Sequence, residues 1–106
     1  MAEKQLPRSK AERTKSMTGI ELIAEERYDQ IRKGWSEKHD DGHTHGELAQ
    51  VAAIVAANGT DLEIDHDEDD WNIIRKHAND RVHQLAIAGA LIAAEIDRLT
   101  RLNTRS

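Results

Sequence analysis

The chain has 106 residues, a formal net charge of −5 and no cysteine, so it holds one domain at most and contains no disulfide, thiolate metal site or cysteine nucleophile. No run of 18 apolar residues occurs, which excludes a membrane-spanning segment within this sequence, and we expect no membrane partner. We expect a cytoplasmic protein, because the first residues contain no apolar segment of a secretory signal.

The apolar content is low: 38% of the residues, with no Phe, one Tyr and two Trp. A chain of this length buries only roughly 60–65% of its unfolded surface, and a small alanine-rich core stabilises weakly. We therefore expect a homo-oligomer, a dimer or higher, in which a second copy covers further apolar surface.

Residues 1–17 carry no apolar periodicity, contain the only proline and hold five basic residues within the first fifteen. We interpret them as a disordered basic arm that precedes a single helical domain at 18–103. The remainder is acidic, so nucleic acid is not an expected partner.

The first helix begins with Thr18 and Glu21, whose spacing is that of a capping box, a hydroxyl followed three residues later by a carboxylate. It runs to about Lys33, where Gly34 supplies the left-handed residue that commonly ends a helix. Helical spacing assigns its inward face to five residues: Ile20, Ile23, Ala24, Arg27 and Ile31.

The second helix follows a polar loop at 35–43. Thr44 and Glu47 repeat the capping-box spacing, and the helix runs to about Ala57 before Asn58 and Gly59 stop it. Four residues share its inward face: Leu48, Val51, Ala52 and Val55.

Residues 61–70 hold seven acids, a density that favours an exposed loop, and 71–76 predict a short helix beginning with Trp71. A long last helix runs from 79 or 80 to Leu102, and Gly89 among alanines marks a surface where another helix approaches closely. Its apolar stripe, near heptad spacing, comprises Val82, Leu85, Ala86, Gly89, Ile92, Ala93, Ile96 and Leu99. The predicted fold class is all-α: a small oligomeric helical bundle with two medium helices, one long C-terminal helix and one short extra helix.

Polar chemistry concentrates at 39–47, where three imidazoles and three carboxylates lie within nine residues. Side chains of these types are rarely buried without a partner, and together they suit a divalent metal or proton transfer near neutral pH. The alternative is local: Asp40 and Asp41 only cap or pair, and the imidazoles are solvated.

Carboxylates on three helices form a second candidate site. Glu25, Glu47 and Glu95 each border an apolar face, and carboxylates from three helices of a bundle can converge on a cation. Local roles are again the alternative, since Glu47 can cap its helix and Glu95 can pair with Arg98 or Arg101.

A third candidate is Asp80 with His83, an acid–imidazole pair at i, i+3 in the first turn of the last helix. Arg81 lies beside them and can meet a phosphate. Asp80 also suits the helix dipole without any function, because a negative charge near a helix N-terminus is favourable.

Several motifs between residues 20 and 100 form a distinctive pattern. They are Ile23-Ala24-Glu25-Glu26-Arg27, Gly34-Trp35, His39-Asp40-Asp41, Gly46-Glu47-Leu48-Ala49, Asn79-Asp80-Arg81 and Ala88-Gly89-Ala90-Leu91-Ile92-Ala93-Ala94-Glu95-Ile96. Together they resemble a family of small phage and prophage proteins, which is known mainly as uncharacterised.

A second likeness, at the level of the fold, is to the all-α nucleoside triphosphate pyrophosphohydrolases of the MazG type, which hold magnesium against a triphosphate with acidic pairs on consecutive helices. It implies that Glu25 and Glu26 on the first helix, Glu47 on the second and Asp80 on the last play such parts, with Mg²⁺ or Mn²⁺ held by Glu25, Glu47 and Asp80. The E-x-x-E and E-x-x-D spacings of that family are not met, because Glu21 and Glu25 are four residues apart and Asp80-x-x-His83 ends in His.

We therefore expect a phosphorylated nucleotide as ligand and a metal-dependent pyrophosphohydrolase as the leading function. His43 or His39 orients or deprotonates the attacking water. Four residues contact the nucleotide: Arg81, Lys76, Trp35 and Asp41. The competing expectation is a non-catalytic phage protein that sequesters a nucleotide signal of host immunity or blocks a host protein. A third is an interaction module whose His-rich loop only folds the turn.

Overall fold

The computed structural model describes residues 16–34, 40–42, 44–64 and 74–104. Within them lie three long helices: α1 Gly19–Arg32, α2 Glu47–Ala57 and α3 Arg81–Thr104. These residues contain no β-strand, which confirms the all-α fold class. Residues 1–15 of the basic arm, the acids at 65–70 and Trp71 lie outside the described part, whereas 74–76, the end of the predicted short helix, are helical.

The predicted capping box at the start of α1 is confirmed. The Glu21 amide donates to the Thr18 hydroxyl at 3.2 Å, and the Thr18 amide donates to the Glu21 carboxylate at 3.0 Å. Hydrogen bonding from the Thr18 backbone, and then from its side chain, favours the charged carboxylate and lowers the pKa of Glu21 below its ordinary value. The helix ends at Arg32, and Gly34, with φ of 100°, is the left-handed residue predicted there.

The start of α2 differs from its prediction. The helix begins at Glu47, and its N-cap is Gly46 with φ of 80°, so the capping box assigned to Thr44 and Glu47 is wrong. Glycine adopts this left-handed conformation without strain. The Glu47 carboxylate instead accepts a hydrogen bond from the His45 amide at 3.0 Å. The other end agrees with the prediction, because α2 ends at Ala57 and a left-handed Gly59 follows.

Helix α2 runs antiparallel to α3, with the end of α2 beside the start of α3. The Arg81 guanidinium fixes this arrangement, because it donates to the carbonyl oxygens of Val55 at 3.3 Å and of Ala56 and Asn58 at 2.5 Å. These carbonyls lie in the last turn of α2 and at its C-cap, Asn58, where carbonyls lack the usual amide donor four residues further on. The Val55 carbonyl also accepts from the Asn58 amide, at 3.3 Å. Nine buried apolar residues form the shared core: Leu48, Ala52, Ile54, Val55, Ile74, Ile87, Ala88, Leu91 and Ala94.

Helix α1 crosses α3 closely at Gly89. A Cβ atom built on Gly89 would lie 2.6 Å from Cδ1 and 2.7 Å from Cγ1 of Ile23, far inside van der Waals contact. The absence of a side chain at Gly89 therefore makes room for Ile23. This confirms the prediction that Gly89 marks a close approach between helices.

The crossing is steep. Glu26 and Arg27 are consecutive in α1, yet their side chains reach His83 and Asp97, at 3.0 and 3.9 Å. Those two residues are 14 positions apart, or about 21 Å along α3. Helix α1 therefore lies across α3 and directs one polar side chain toward each of its ends.

The inward face predicted for α1 is only partly right. Ile23 lies against α3, but Ile20 is 81% exposed, and Ala24 and Ile31 are exposed as well. The residue that is buried on this helix is Gln30. A steep crossing touches α3 over a short segment only, so apolar residues on either side of that segment remain outside.

The apolar stripe predicted for α3 does not enter the core of the single chain, apart from the buried Ala86. Its five large members are exposed: Val82, Leu85, Ile92, Ile96 and Leu99. Helix α2 packs on the opposite side, against Ile87, Leu91 and small alanines. Because the α3 side chains that face α2 are mostly small, the axes of α2 and α3 come close together. The larger apolar side chains of α3 lie on its other side.

Replacing Gly89 by Ala tests the crossing. The added methyl group overpacks against Ile23, which costs about 1–3 kcal/mol, while the better helix propensity of alanine returns about 1 kcal/mol. We expect a net loss of up to about 2 kcal/mol in the free energy of unfolding measured in urea. In the Ile23→Ala background, where the clash is gone, Gly89→Ala should stabilise by up to about 1 kcal/mol. The same effect of Gly89→Ala in both backgrounds would contradict the close contact.

Candidate functional site

The two aspartates of the His-rich segment are anchored to different helices. Asp40 is completely buried, and its Oδ2 accepts a hydrogen bond from Nη2 of Arg27 on α1 at 2.9 Å. Oδ1 of Asp41 accepts from Nη2 of Arg101 on α3 at 2.8 Å. The pair therefore ties the loop before α2 to both neighbouring helices, as the local alternative for these residues predicted.

The Arg27 guanidinium is a buried charge whose position depends on Asp40. Its side chain is 12% exposed and that of Asp40 is 1% exposed. Nε and Nη1 of Arg27 are also buried, and they have no hydrogen-bond partner among the described residues. The pair with Asp40 is thus the main compensation for the desolvation of this charge.

The imidazoles of the segment are only partly described. His39, His43 and Trp35, which were predicted to act on the nucleotide, lie outside the described residues. The His45 side chain is 87% exposed, and its Nδ1 lies 3.4 Å from Oε1 of Glu47. His45, the imidazole of this loop that the structure describes, therefore faces solvent beside the N-terminus of α2.

The predicted metal ligands are distributed along the bundle. Glu47 begins α2, whereas Asp80 precedes α3 and lies beside the other end of α2, because these helices are antiparallel. Eleven helical residues, or about 16 Å, separate the two ends. Glu25 lies half-buried on α1. Within the described ranges, no group of three His, Asp or Glu residues is placed to hold a metal ion.

The predicted phosphate contacts also take different positions. Arg81 donates to carbonyl oxygens at the end of α2 and to the Gln84 amide oxygen, at 3.3 Å, so its guanidinium has a structural role. Lys76 is exposed close to the start of α3. Asp41 pairs with Arg101 and remains a quarter exposed.

A cluster that the sequence showed only in part lies where α1 crosses the first turns of α3. Nε2 of His83 lies 3.0 Å from Oε2 of Glu26, and Nδ1 lies 3.9 Å from Oδ2 of Asp80. The His77 ring is stacked at a tilt against the His83 ring, with 4.1 Å between centroids. We call Glu26, His77, Asp80 and His83 the His83 cluster.

Local structure holds each member of the His83 cluster. Oδ1 of Asp80 accepts from the His83 amide at 3.0 Å, which caps α3 and fixes Asp80 beside the ring. Gln84, almost fully buried, donates to the His77 carbonyl at 2.9 Å and accepts from Asn58 at 3.2 Å. The Asp80 carboxylate is thereby held at the start of α3, and Gln84 holds the backbone of His77 near it.

The spacing of Asp80 and His83 predicted one edge of this cluster, but not the rest. Glu26 lies 57 residues before His83 in the chain, and His77 had no neighbouring motif. Nothing in the sequence alone shows that α1 turns Glu26 toward the start of α3. The alternative predicted for Glu95 is confirmed, because its Oε1 accepts from Nε of Arg98 at 2.5 Å in a buried pair.

Comparisons with protein-family models, with curated proteins and with solved structures find no match to this chain. The resemblances to the phage family and to the pyrophosphohydrolases therefore stay expectations from the sequence. Among the described helices, none combines the length and the apolar character that crossing a membrane requires.

Replacing Asp40 by Asn tests the buried anchor. The change leaves the Arg27 charge desolvated without its main counter-charge, so we expect a loss of about 3–5 kcal/mol in unfolding free energy. Asp29→Asn is the matched control, because Asp29 pairs with Arg32 on the exposed side of α1, the helix that carries Arg27. That control should cost at most about 1 kcal/mol. Equal losses in the two variants would show that Asp40 is not a buried anchor.

Proposed function

We propose that this chain binds a phosphorylated nucleotide and hydrolyses it as a pyrophosphohydrolase-like enzyme, with the His83 cluster as its proton-transfer site. The observation that carries the proposal is the 3.0 Å contact between His83 and Glu26, with Asp80 at the other ring nitrogen. The side chains of His83 and Glu26 are 16% and 14% exposed, so the pair is held yet reachable from solvent.

An imidazole oriented by a carboxylate is the arrangement that general base catalysis needs. Histidine changes its charge near neutral pH, so it can take a proton from a water molecule and release it within one cycle. In this hydrolysis, the water attacks the α-phosphorus of the nucleoside triphosphate while the P–O bond to the leaving pyrophosphate breaks. The proposed role of His83 is to accept the proton of this water, and the role of Glu26 is to orient the ring.

The proposal includes Mg²⁺ or Mn²⁺, which offsets charge on the phosphates. Magnesium usually binds to one or two carboxylates together with the phosphates of the substrate, and it keeps several water ligands. A cage of three carboxylates is therefore not required. Asp80 is the carboxylate of the cluster that a metal–nucleotide complex can reach, because its side chain is 55% exposed.

Positive charge for the phosphates is also close to this site. Lys76 is exposed and precedes Asp80 by four residues. We propose Lys76 as the phosphate contact. We do not propose Arg81 for this role, because its guanidinium binds the end of α2. Trp35 remains a proposed nucleotide contact, and Glu25 and Glu47 remain proposed only as further metal ligands. His39 and His43, the first candidates for the group that orients or deprotonates the attacking water, remain the alternative to His83 in that role.

A nucleotide assay tests the enzyme. Purified protein is incubated with each ribo- and deoxyribonucleoside triphosphate and Mg²⁺ or Mn²⁺, and the products are separated. We expect monophosphate and pyrophosphate from at least one substrate. His83→Gln should lower the rate by about 10²–10⁴-fold, since it removes the base. Arg32→Gln is the control and should leave the rate unchanged, because Arg32 is exposed and pairs with Asp29, outside the cluster.

Two results would end this proposal: no turnover with any substrate at high protein concentration, or full activity in His83→Gln. Circular dichroism of both variants separates a lost fold from a lost base. Glu26→Gln adds an intermediate case, because its amide can still contact His83 but carries no charge. Its rate should fall between those of the wild type and His83→Gln.

A second candidate is non-catalytic binding, either sequestration of a nucleotide signal or blocking of a host protein. The contacts of Asp41 and Arg81 favour it, because two residues predicted to bind substrate are used to hold the fold together. A sequestering protein would gain thermal stability with a nucleotide and release it chemically unchanged after denaturation. Release of monophosphate and pyrophosphate would instead favour the enzyme.

A further inference from the structure

Gln84 is a buried polar residue in the first turn of α3, and it has no role in the function proposed above. Its residue exposure is 2%. Nε2 of its side-chain amide donates to the His77 carbonyl at 2.9 Å, while Oε1 accepts from Asn58 Nδ2 at 3.2 Å and from Arg81 Nη1 at 3.3 Å. A buried amide with partners on both sides is strongly constrained, because a buried polar group that loses its partner costs free energy.

Two of these partners determine which way the Gln84 amide points. The Arg81 guanidinium can only donate, and the His77 carbonyl can only accept. Oε1 must therefore face Arg81 and Nε2 must face His77, so turning the amide over would lose both hydrogen bonds. No side chain of similar length replaces both contacts, since an ionised glutamate has no donor and methionine has neither a donor nor a strong acceptor.

The contact with His77 anchors the turn that carries two members of the His83 cluster, His77 and Asp80. The His77 carbonyl also accepts from the Asp80 amide at 3.0 Å, and the His77 amide donates to the Ile74 carbonyl at 3.3 Å. Those backbone contacts are local to the turn. The Gln84 side chain instead reaches back over seven residues from α3, and its other end is bonded to Asn58 at the C-cap of α2.

The His77 ring connects this anchored turn with the imidazole of His83. The two rings lie 4.1 Å apart between centroids, with 47° between their planes. Nε2 of His83 is in contact with Oε2 of Glu26 at 3.0 Å. The His83 ring is therefore packed against His77 while its edge meets Glu26. A displaced His77 would remove packing that limits the rotation of His83 about its side-chain bonds.

We propose that Gln84 is a positioning residue of the His83 cluster: its hydrogen bond to the His77 carbonyl holds the His77 ring against His83 and thereby keeps the His83 imidazole aimed at Glu26. The consequence for catalysis rests on the function proposed above, because an imidazole that turns away from its carboxylate is a poorer general base. The consequence for ring geometry depends on no reaction, so the two are tested separately.

Nuclear magnetic resonance tests the geometry. We expect cross-relaxation between ring protons of His77 and His83 in the wild type, because the rings are in contact. Gln84→Met, which is neutral and of similar length, should abolish this signal. Gln50→Met is the matched control, the same substitution at an exposed position of α2, and should retain it. A wild type without the signal, or a folded Gln84→Met with the signal unchanged, overturns the proposal.

Gln84→Glu is the second variant and decides the question if Gln84→Met does not fold. Its carboxylate still accepts from Asn58 and Arg81 but cannot donate to the His77 carbonyl, so the ring contact should again be lost. The new charge also lies near His83, and His77→Ala separates the two effects. Gln84→Glu should move the His83 ring resonances further in the wild-type background than in His77→Ala. Equal shifts would contradict an action through His77.

Turnover tests the catalytic consequence in a wild type that hydrolyses a nucleotide. Gln84→Met should lower kcat by less than the about 10²–10⁴-fold expected for His83→Gln, since the base is still present. KM should stay unchanged, because a positioning residue does not touch the substrate. Equal kcat in the wild type and Gln84→Met would contradict the positioning role. A wild type without turnover ends the enzyme proposal alone, and the ring contact then decides the role of Gln84.

Discussion

The close crossing of α1 over α3 at Gly89 is the constraint on which the other features depend. Ile23 can lie against α3 only because residue 89 has no side chain. From that point, Glu26 reaches His83 and Arg27 reaches Asp40, at opposite sides of the contact. One packing contact thus positions both the His83 cluster and the anchor of the loop before α2.

The two polar contacts that flank this crossing have different roles. One holds the fold together, and the other belongs to the proposed functional site. Toward the loop, Asp40 and Arg27 form a buried ion pair, and breaking such a pair is strongly destabilising. The Asp40 carboxylate therefore serves the fold. Toward the start of α3, the Glu26 and His83 side chains are 14% and 16% exposed, and the half-exposed Asp80 carboxylate lies beside them. In the His-rich segment, the described Asp40 and Asp41 therefore hold the helices together, while the proposed ligand site lies at the first turns of α3.

Local patterns predicted those parts of the fold that local interactions determine. The Thr18–Glu21 capping box and the left-handed Gly34 each involve residues within one or two turns, and the structure shows both. The start of α2 was missed, because Gly46 rather than Thr44 caps the helix. The periodicity of α3 identified an apolar stripe correctly but could not say which surface covers it, and α2 packs on the other side. Glu26 and His83 are separated by 57 residues, so their contact depends on a crossing angle that no sequence spacing encodes.

A double-mutant cycle between Glu26 and His83 tests the crossing and the cluster together most directly. Glu26→Gln, His83→Gln and the double variant are unfolded in urea, and the coupling free energy is taken from the four stabilities. If α1 crosses α3 as described, the two side chains are in contact and the coupling should be about 0.5–3 kcal/mol. Additive effects, with a coupling below about 0.3 kcal/mol, would show that the residues do not touch and would contradict the account.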